Sequence, residues 1–145
     1  MGWVKPRYRV RRVVNWVTLS TPLGLLIAWL GRASLRRVRD GLFVAEHCRL
    51  MLPDAGAFTV GNVIITGRTL TELETRLPEI LDHEAAHASQ WAWLGPLFLP
   101  VYLVGTGWSL WRTGDRAARN HLERWAGLAR GGYREIGCRP RRIRV

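Results

Sequence analysis

A chain of 145 residues is one domain's worth of sequence, enough to bury a single core. Its net charge of +11 is almost entirely arginine, since Lys5 is the only lysine, and it suits anionic surfaces: nucleic acid or phospholipid headgroups. Cys48 and Cys138 make no CxxC pair, which argues against a zinc knuckle and a disulfide framework; they allow at most one bridge, and two free thiols of a reducing compartment are expected.

The chain opens on a basic arm, Lys5, Arg7, Arg9, Arg11 and Arg12, interleaved with Trp3 and Tyr8. Val13 to Leu30 follows as an apolar run broken only by Asn15, Thr18, Ser20, Thr21 and Pro22. It barely reaches the roughly 20 residues that a membrane-spanning helix needs. A second basic cluster, Arg32, Arg36, Arg37 and Arg39, closes it, and no small-residue cleavage site stands at its exit. Residues 1–40 are therefore expected to be a basic arm plus an uncleaved apolar helix, either anchored in a membrane or lying in its interface. The alternative is the buried first helix of a soluble domain.

Residues 41–132 are expected to form the metal-binding domain. Leu42 to Val44 and Arg49 to Leu52 read as short strands before a turn at Pro53-Asp54-Ala55-Gly56. Ala57 to Thr66 is rich in β-branched residues, and Gly61-Asn62 in its middle signals a hairpin or bulge. Thr71 to Arg76 reads as a short helical turn.

His83-Glu84-Ala85-Ala86-His87 carries the chemistry. Two histidines four apart on a helix point the same way, so both imidazoles can reach one zinc ion. The glutamate after the first histidine is placed to take a proton from water on the metal, acting as general base. Pro78, Glu79 and Asp82 suit a helix start and Gly95-Pro96 a stop, predicting a helix of roughly 16 residues with Ile80, His83, His87, Trp91 and Leu94 on one face. Trp91 to Trp111 is a second apolar stretch with tryptophans at both ends, as in membrane aromatic belts. Pro96, Pro100, Gly105 and Gly107 predict that it is not one long straight helix.

The run Ala57-Phe58-Thr59-Val60-Gly61-Asn62-Val63-Ile64, followed by Leu81-Asp82-His83-Glu84-Ala85-Ala86-His87 and Gln90, resembles the zincin-like domains found with extracellular contractile injection systems and in related short bacterial proteins. The resemblance covers roughly residues 55–95 and more weakly the segment to 127. It implies an α+β, minimal zincin-like fold: a small sheet or hairpin packed on the HExxH helix, with a C-terminal glutamate helix and the N-terminal apolar helix. It also implies that Asn62 to Thr66 is the sheet edge that pairs with an extended peptide substrate.

Two histidines leave a catalytic zinc site one protein ligand short. A last helix, capped by Thr113 or Asp115, is expected to run to about Ala129 and end at Gly131-Gly132, with Glu123-Arg124-Trp125-Ala126-Gly127 on it. This stretch resembles the glutamate helix of gluzincin peptidases, and the resemblance makes Glu123 the third ligand. Gly127 stands where the family has aspartate, which takes away a partner for a ligating histidine but lets the helix approach the metal helix closely. By residue type alone His121, His47 and Asp115 remain alternatives, and Glu123 could equally pair with Arg119 or Arg116. If Glu123 is a ligand, residues 91–111 cannot cross a bilayer of about 30 Å and must fold back as a proline-hinged hairpin, dip into the interface or pack in a soluble core, a buried or interfacial hairpin being favoured.

The expected activity is zinc-dependent peptide hydrolysis with His83, His87 and Glu123 on the metal and Glu84 as general base. His121, Tyr133 and Arg130 are the candidates for stabilising the oxyanion. The alternative is a catalytically silent zincin-like, membrane-associated interaction module. Nucleic acid is not favoured as a partner, because the arginines cluster towards both chain ends and no nucleic-acid motif is present; residues 133–145 are expected to be a solvated basic tail.

Overall fold

The structure, a computed structural model, describes residues 5–50 and 56–137. Trp3, most of the turn at 53–56, and Cys138 with the arginine-rich end of the tail lie outside the described residues, as do 51 and 52 of the expected strand at 49–52. Arg49 and Leu50 form a turn.

The elements in chain order are helices α1 (Pro6–Val17) and α2 (Ser20–Leu30), strands β1 (Ser34–Arg37), β2 (Phe43–Glu46), β3 (Phe58–Val60) and β4 (Val63–Ile65), and helices α3 (Leu70–Arg76), α4 (Ile80–Leu94), α5 (Phe98–Thr113) and α6 (His121–Ala126). The fold is α+β, with a mixed sheet in the order β1-β2-β4-β3. β1 runs antiparallel to β2, β2 parallel to β4, and β3 antiparallel to β4.

The N-terminal apolar run is two helices, bent by 71° where Leu19 takes a left-handed conformation at φ 61°. No single helix among the described residues is long and apolar enough to cross a membrane. α2 packs on the sheet. Ala28 shares a core cluster with Ala45, Cys48, Val60, Val63, Ile65, Trp91 and Phe98, while Ile64 points into a second cluster with Leu42, Val44, Leu70, Leu81 and Ala88. That alternation along β4 buries both of its faces, as a central strand requires.

The order of strands corrects the expected substrate edge. β4 lies between β2 and β3, so Asn62 to Thr66 is interior to the sheet, and β3 holds the edge nearest α4. The turn between β3 and β4 is where the hairpin signal placed it. A Cβ on Gly61 would stand 2.5 Å from the Ser20 backbone, so only glycine lets the turn dock on α2. Asn62, fully buried, donates to the Thr21 hydroxyl at 2.9 Å and accepts from Asn15 Nδ2 at 3.0 Å; the same Asn15 amide donates to the Ala88 carbonyl at 2.9 Å. The hairpin turn, both N-terminal helices and α4 are thus joined by one buried polar network.

The chain reverses at Gly95-Pro96-Leu97, and α5 returns along α4. Phe98 stacks on Trp91 with centroids 4.6 Å apart, and Tyr102 sits 6.2 Å from the His87 ring. The hairpin is as expected, but its second arm is one continuous helix through Pro100, Gly105 and Gly107. Pro100 falls in the first turn, where an N–H has no helical partner to lose. Gly105 is required by a close approach: a Cβ there would lie 2.7 Å from Asn120 Oδ1.

Candidate metal centre

α4 begins after a capped lead-in. Thr69 and Glu72 form a capping box on α3, and the chain turns at Leu77-Pro78-Glu79 into Ile80. Ile80, His83, His87 and Trp91 all point inward.

α6 is much shorter than expected, six residues capped by the Asn120 side chain, which accepts from Leu122 N. Asp115 caps a separate turn instead, accepting from the backbone N–H groups of Ala117 and Ala118. Asn120 also donates to the Tyr102 carbonyl and the Thr106 hydroxyl, which fastens α6 to α5 and turns Glu123 toward α4. Both ring nitrogens facing the centre approach the same oxygen: His83 Nε2 lies 3.2 Å and His87 Nε2 3.4 Å from Glu123 Oε2, and the two Nε2 atoms are 3.1 Å apart. All three side chains are buried. Buried His83, His87 and Glu123 lie close enough to bind a metal ion.

The protonation pattern follows from the surroundings. His83 Nδ1 is 3.0 Å from the Gly127 carbonyl, which can only accept, so Nδ1 carries a proton and the Nε2 of a neutral ring is the one that offers a lone pair. His87 Nδ1 is 2.8 Å from Gln90 Oε1, and the Gln90 amide nitrogen donates to the Leu122 carbonyl at 2.8 Å, which fixes the orientation of that side chain. With both rings neutral, two imidazole lone pairs and a carboxylate oxygen therefore converge on one buried point. Glu123 Oε2 has no hydrogen-bond partner there, while Oε1 accepts from the Tyr102 hydroxyl. Three lone pairs at this spacing repel one another unless a cation joins them. Ligands about 2.1 Å from a tetrahedral metal stand about 3.4 Å from each other, and the observed separations come close to that triangle.

A proton is the other cation that answers this cluster. Burial works to lower the His87 pKa, yet its contact with Glu123 and the charges of Glu84 and Glu123 outweigh it and hold the pKa above its ordinary value. Burial works to raise the Glu123 pKa, yet the close approach of His83 and His87 to Oε2, together with the Tyr102 hydroxyl on Oε1, holds it well below the usual carboxylate range.

Gly127 supports His83 through its main chain. Its φ of +95° turns the carbonyl onto His83, supplying from the main chain the acceptor that the side chain would have offered. The close approach to α4 comes from elsewhere. A Cβ on Gly127 would meet only Arg130, whereas one on Gly131 would stand 2.5 Å from His83 Cε1.

Glu84 is buried beside this cluster, and Thr59 Oγ1 on β3 donates to its Oε2 at 2.6 Å. Thr59 is itself held by Trp91, whose indole N–H donates to the Thr59 carbonyl at 2.8 Å. An inner cavity of about 20 Å³ is bounded by His83, Glu84, His87, Glu123, Tyr102 and Tyr133, with room for about one water. A cleft of about 770 Å³ reaches the same His83, Glu84, Tyr102 and Tyr133 from outside, with Ala57 and Phe58 at one end and Arg68, Arg76 and Arg116 on its walls.

Of the remaining candidates, only Tyr133 reaches the centre. Burial, followed by the charges of Glu123 and Glu84, pushes its pKa up to about 12, so its hydroxyl stays a proton donor at neutral pH. Arg130 turns outward to within 3.6 Å of Glu79, and His121 and His47 are exposed. Glu123 makes no ion pair with Arg116 or Arg119. Tyr102 and Thr59 were not legible as site residues. Tyr102 is embedded in an apolar stretch, and the only trace of Thr59 was its place in the Ala-aromatic-Thr run.

Comparisons with protein families, curated proteins and solved structures return no match for this chain, so its chemistry is argued from the geometry of the centre.

Proposed function

We propose that this chain is a zinc-dependent peptidase of gluzincin type, in which His83 Nε2, His87 Nε2 and Glu123 Oε2 hold the metal and Glu84 is the general base. The observation that carries the reading is the convergence of three buried lone pairs, with an unpartnered carboxylate oxygen among them, one helical position from a buried glutamate. Two neutral imidazoles and one carboxylate suit zinc, and three protein ligands leave the open position of a catalytic site. Zinc, when bound, supplies a Lewis acid that polarises the scissile carbonyl and acidifies a coordinated water.

The chain's own residues account for the rest. The Thr59 hydroxyl occupies one oxygen of Glu84 and orients the carboxylate, which takes the proton of the attacking water and returns it to the leaving amine. The Tyr133 O–H is a donor for the negative charge that develops on the carbonyl oxygen. Tyr102 fixes the rotamer of Glu123. The outer cleft, flanked by the start of β3, is large enough for several residues of extended peptide. The Gly127 carbonyl removes the chief reason for reading the site as silent, since His83 is supported without the aspartate.

The test is hydrolysis of a fluorogenic peptide pool by wild type and by Glu84→Gln, with zinc content measured in both. Activity falling by about 10²-fold or more with zinc unchanged is the expected result. Equal activity in the two proteins, or none in a zinc-loaded wild type, would remove the peptidase reading.

A further inference from the structure

Three helices of this protein are built inside out. On α5 the inward side carries Phe98 in its first turn and then Tyr102, Gly105, Ser109 and Thr113, while the exposed side carries Val101, Val104, Trp108 and Trp111 at helical spacing. The inner hydroxyls are satisfied within the protein, since Ser109 donates to the Asp115 carbonyl and Thr113 to the Ser109 carbonyl. On α2 the buried residues are Ser20, Thr21, Gly24 and Ala28, and the exposed ones are Leu23, Leu26, Trp29 and Leu30. On α1 Arg11 and Asn15 are buried, while Val10, Val13 and Val17 are exposed.

Water sorts a helix the other way, apolar face in and polar face out. Hydrocarbon accepts this arrangement: polar groups must be satisfied internally, and helices pack through small residues because lipid gives no hydrophobic drive between them. Gly24 fits that description, since a Cβ there would lie 2.5 Å from the Val60 carbonyl.

We infer that the exposed side of α1, α2 and α5 is a membrane-embedded face, seated in one leaflet of a bilayer with anionic headgroups. Helices of 11 and 16 residues span about 16 and 24 Å, short of the roughly 30 Å hydrocarbon core, so α2 and α5 enter without crossing. Charge marks the boundary. α2 has no charged residue and α5 only Arg112 in its last turn, stacked over Trp108 and Trp111, while Arg7, Arg9 and Arg12 precede the apolar end of α1 and Arg32 follows α2. Arginine and tryptophan at the rims of apolar helices belong at headgroup depth. A second copy of a chain with net charge +11 would bring these arginine rims together, whereas anionic headgroups neutralise them. The inference is independent of the zinc reading.

The test is flotation of the full chain, diluted from detergent, with phosphatidylglycerol and with phosphatidylcholine vesicles, beside a Val104→Asp/Trp111→Asp variant. Both positions are exposed, at 73% and 67%, so circular dichroism of the variant should match wild type. Wild type is expected to float with the anionic vesicles and to remain bound in 1 M salt, with the variant's bound fraction reduced about tenfold. Wild type left in solution as a monomer, release in high salt, or equal flotation of the variant would each overturn the inference. So would a concentration-dependent dimer that forms without vesicles and is lost in the variant, which would assign the face to a second copy.

Discussion

Gly131→Ala adds one methyl group whose nearest neighbours are all atoms of the His83 ring. The new Cβ would stand 2.5 Å from His83 Cε1, 2.7 Å from Nε2 and 2.9 Å from Nδ1. Gly131 is not at positive φ, so the substitution brings no backbone strain of its own. Restoring ordinary van der Waals contact requires the imidazole or the Gly131 backbone to move by about 0.9 Å, and His83 is buried and held by the Gly127 carbonyl. Ligand-to-metal distances in a sound site lie within about 0.2 Å of their standard values. Zinc affinity should therefore fall by at least about 10–100-fold, the usual effect of losing ligand support. Competition with a chromophoric chelator measures this, and circular dichroism checks the fold. Gly107→Ala is the control: a Cβ there meets nothing within 4 Å, so zinc affinity should be unchanged and helix α5 favoured by about 0.5–1 kcal/mol. Wild-type zinc affinity in a folded Gly131→Ala protein would refute the placement of His83 as a ligand.

Gln90→Leu strips His87 Nδ1 of its acceptor and removes the Gln90 donor to the Leu122 carbonyl, so chelator competition should show zinc bound about 10–100-fold more weakly, with thermal unfolding reporting a loss of about 1–3 kcal/mol. Tyr133→Phe keeps the ring and removes the donor; kcat on a peptide substrate should drop by about 10²-fold with zinc content unchanged. The metal-free protein should lose stability on both sides of a pH window. The raised His87 pKa contributes stability fully present below 6.5 and lost as pH rises through the folded value; the depressed Glu123 pKa contributes stability lost as pH falls through its own. Chemical denaturation across pH checks this, and added zinc, taking the proton's place between the ligands, should extend the window to higher pH.

What was legible in the sequence was local. The spacing of His83 and His87 and the stop at Gly95-Pro96 describe α4 within a residue or two, and Gly61-Asn62 marks the hairpin turn. Glu123 was named through the resemblance, and it lies close enough to both histidines for the three to bind one metal ion. What was not legible depends on partners distant in the chain. β1 has all four residues exposed and no apolar alternation, and it is a strand because β2 pairs with it. The edge position of β3 follows from the parallel pairing of β2 with β4, which no local pattern records. The last helix was overextended because Asp115 is a good cap; it caps a turn, and Asn120 caps the helix. Gly127 showed only a missing side chain, while its carbonyl makes the contact.

The most direct measurement is metal content of the purified protein by elemental analysis, wild type beside Glu123→Ala. One zinc per wild-type chain, lost or bound far more weakly in the variant, is the expected result, because two histidines alone leave the cluster without its carboxylate. Zinc retained at full affinity in the variant, or no metal in a folded wild type after zinc is offered, would contradict the centre described above.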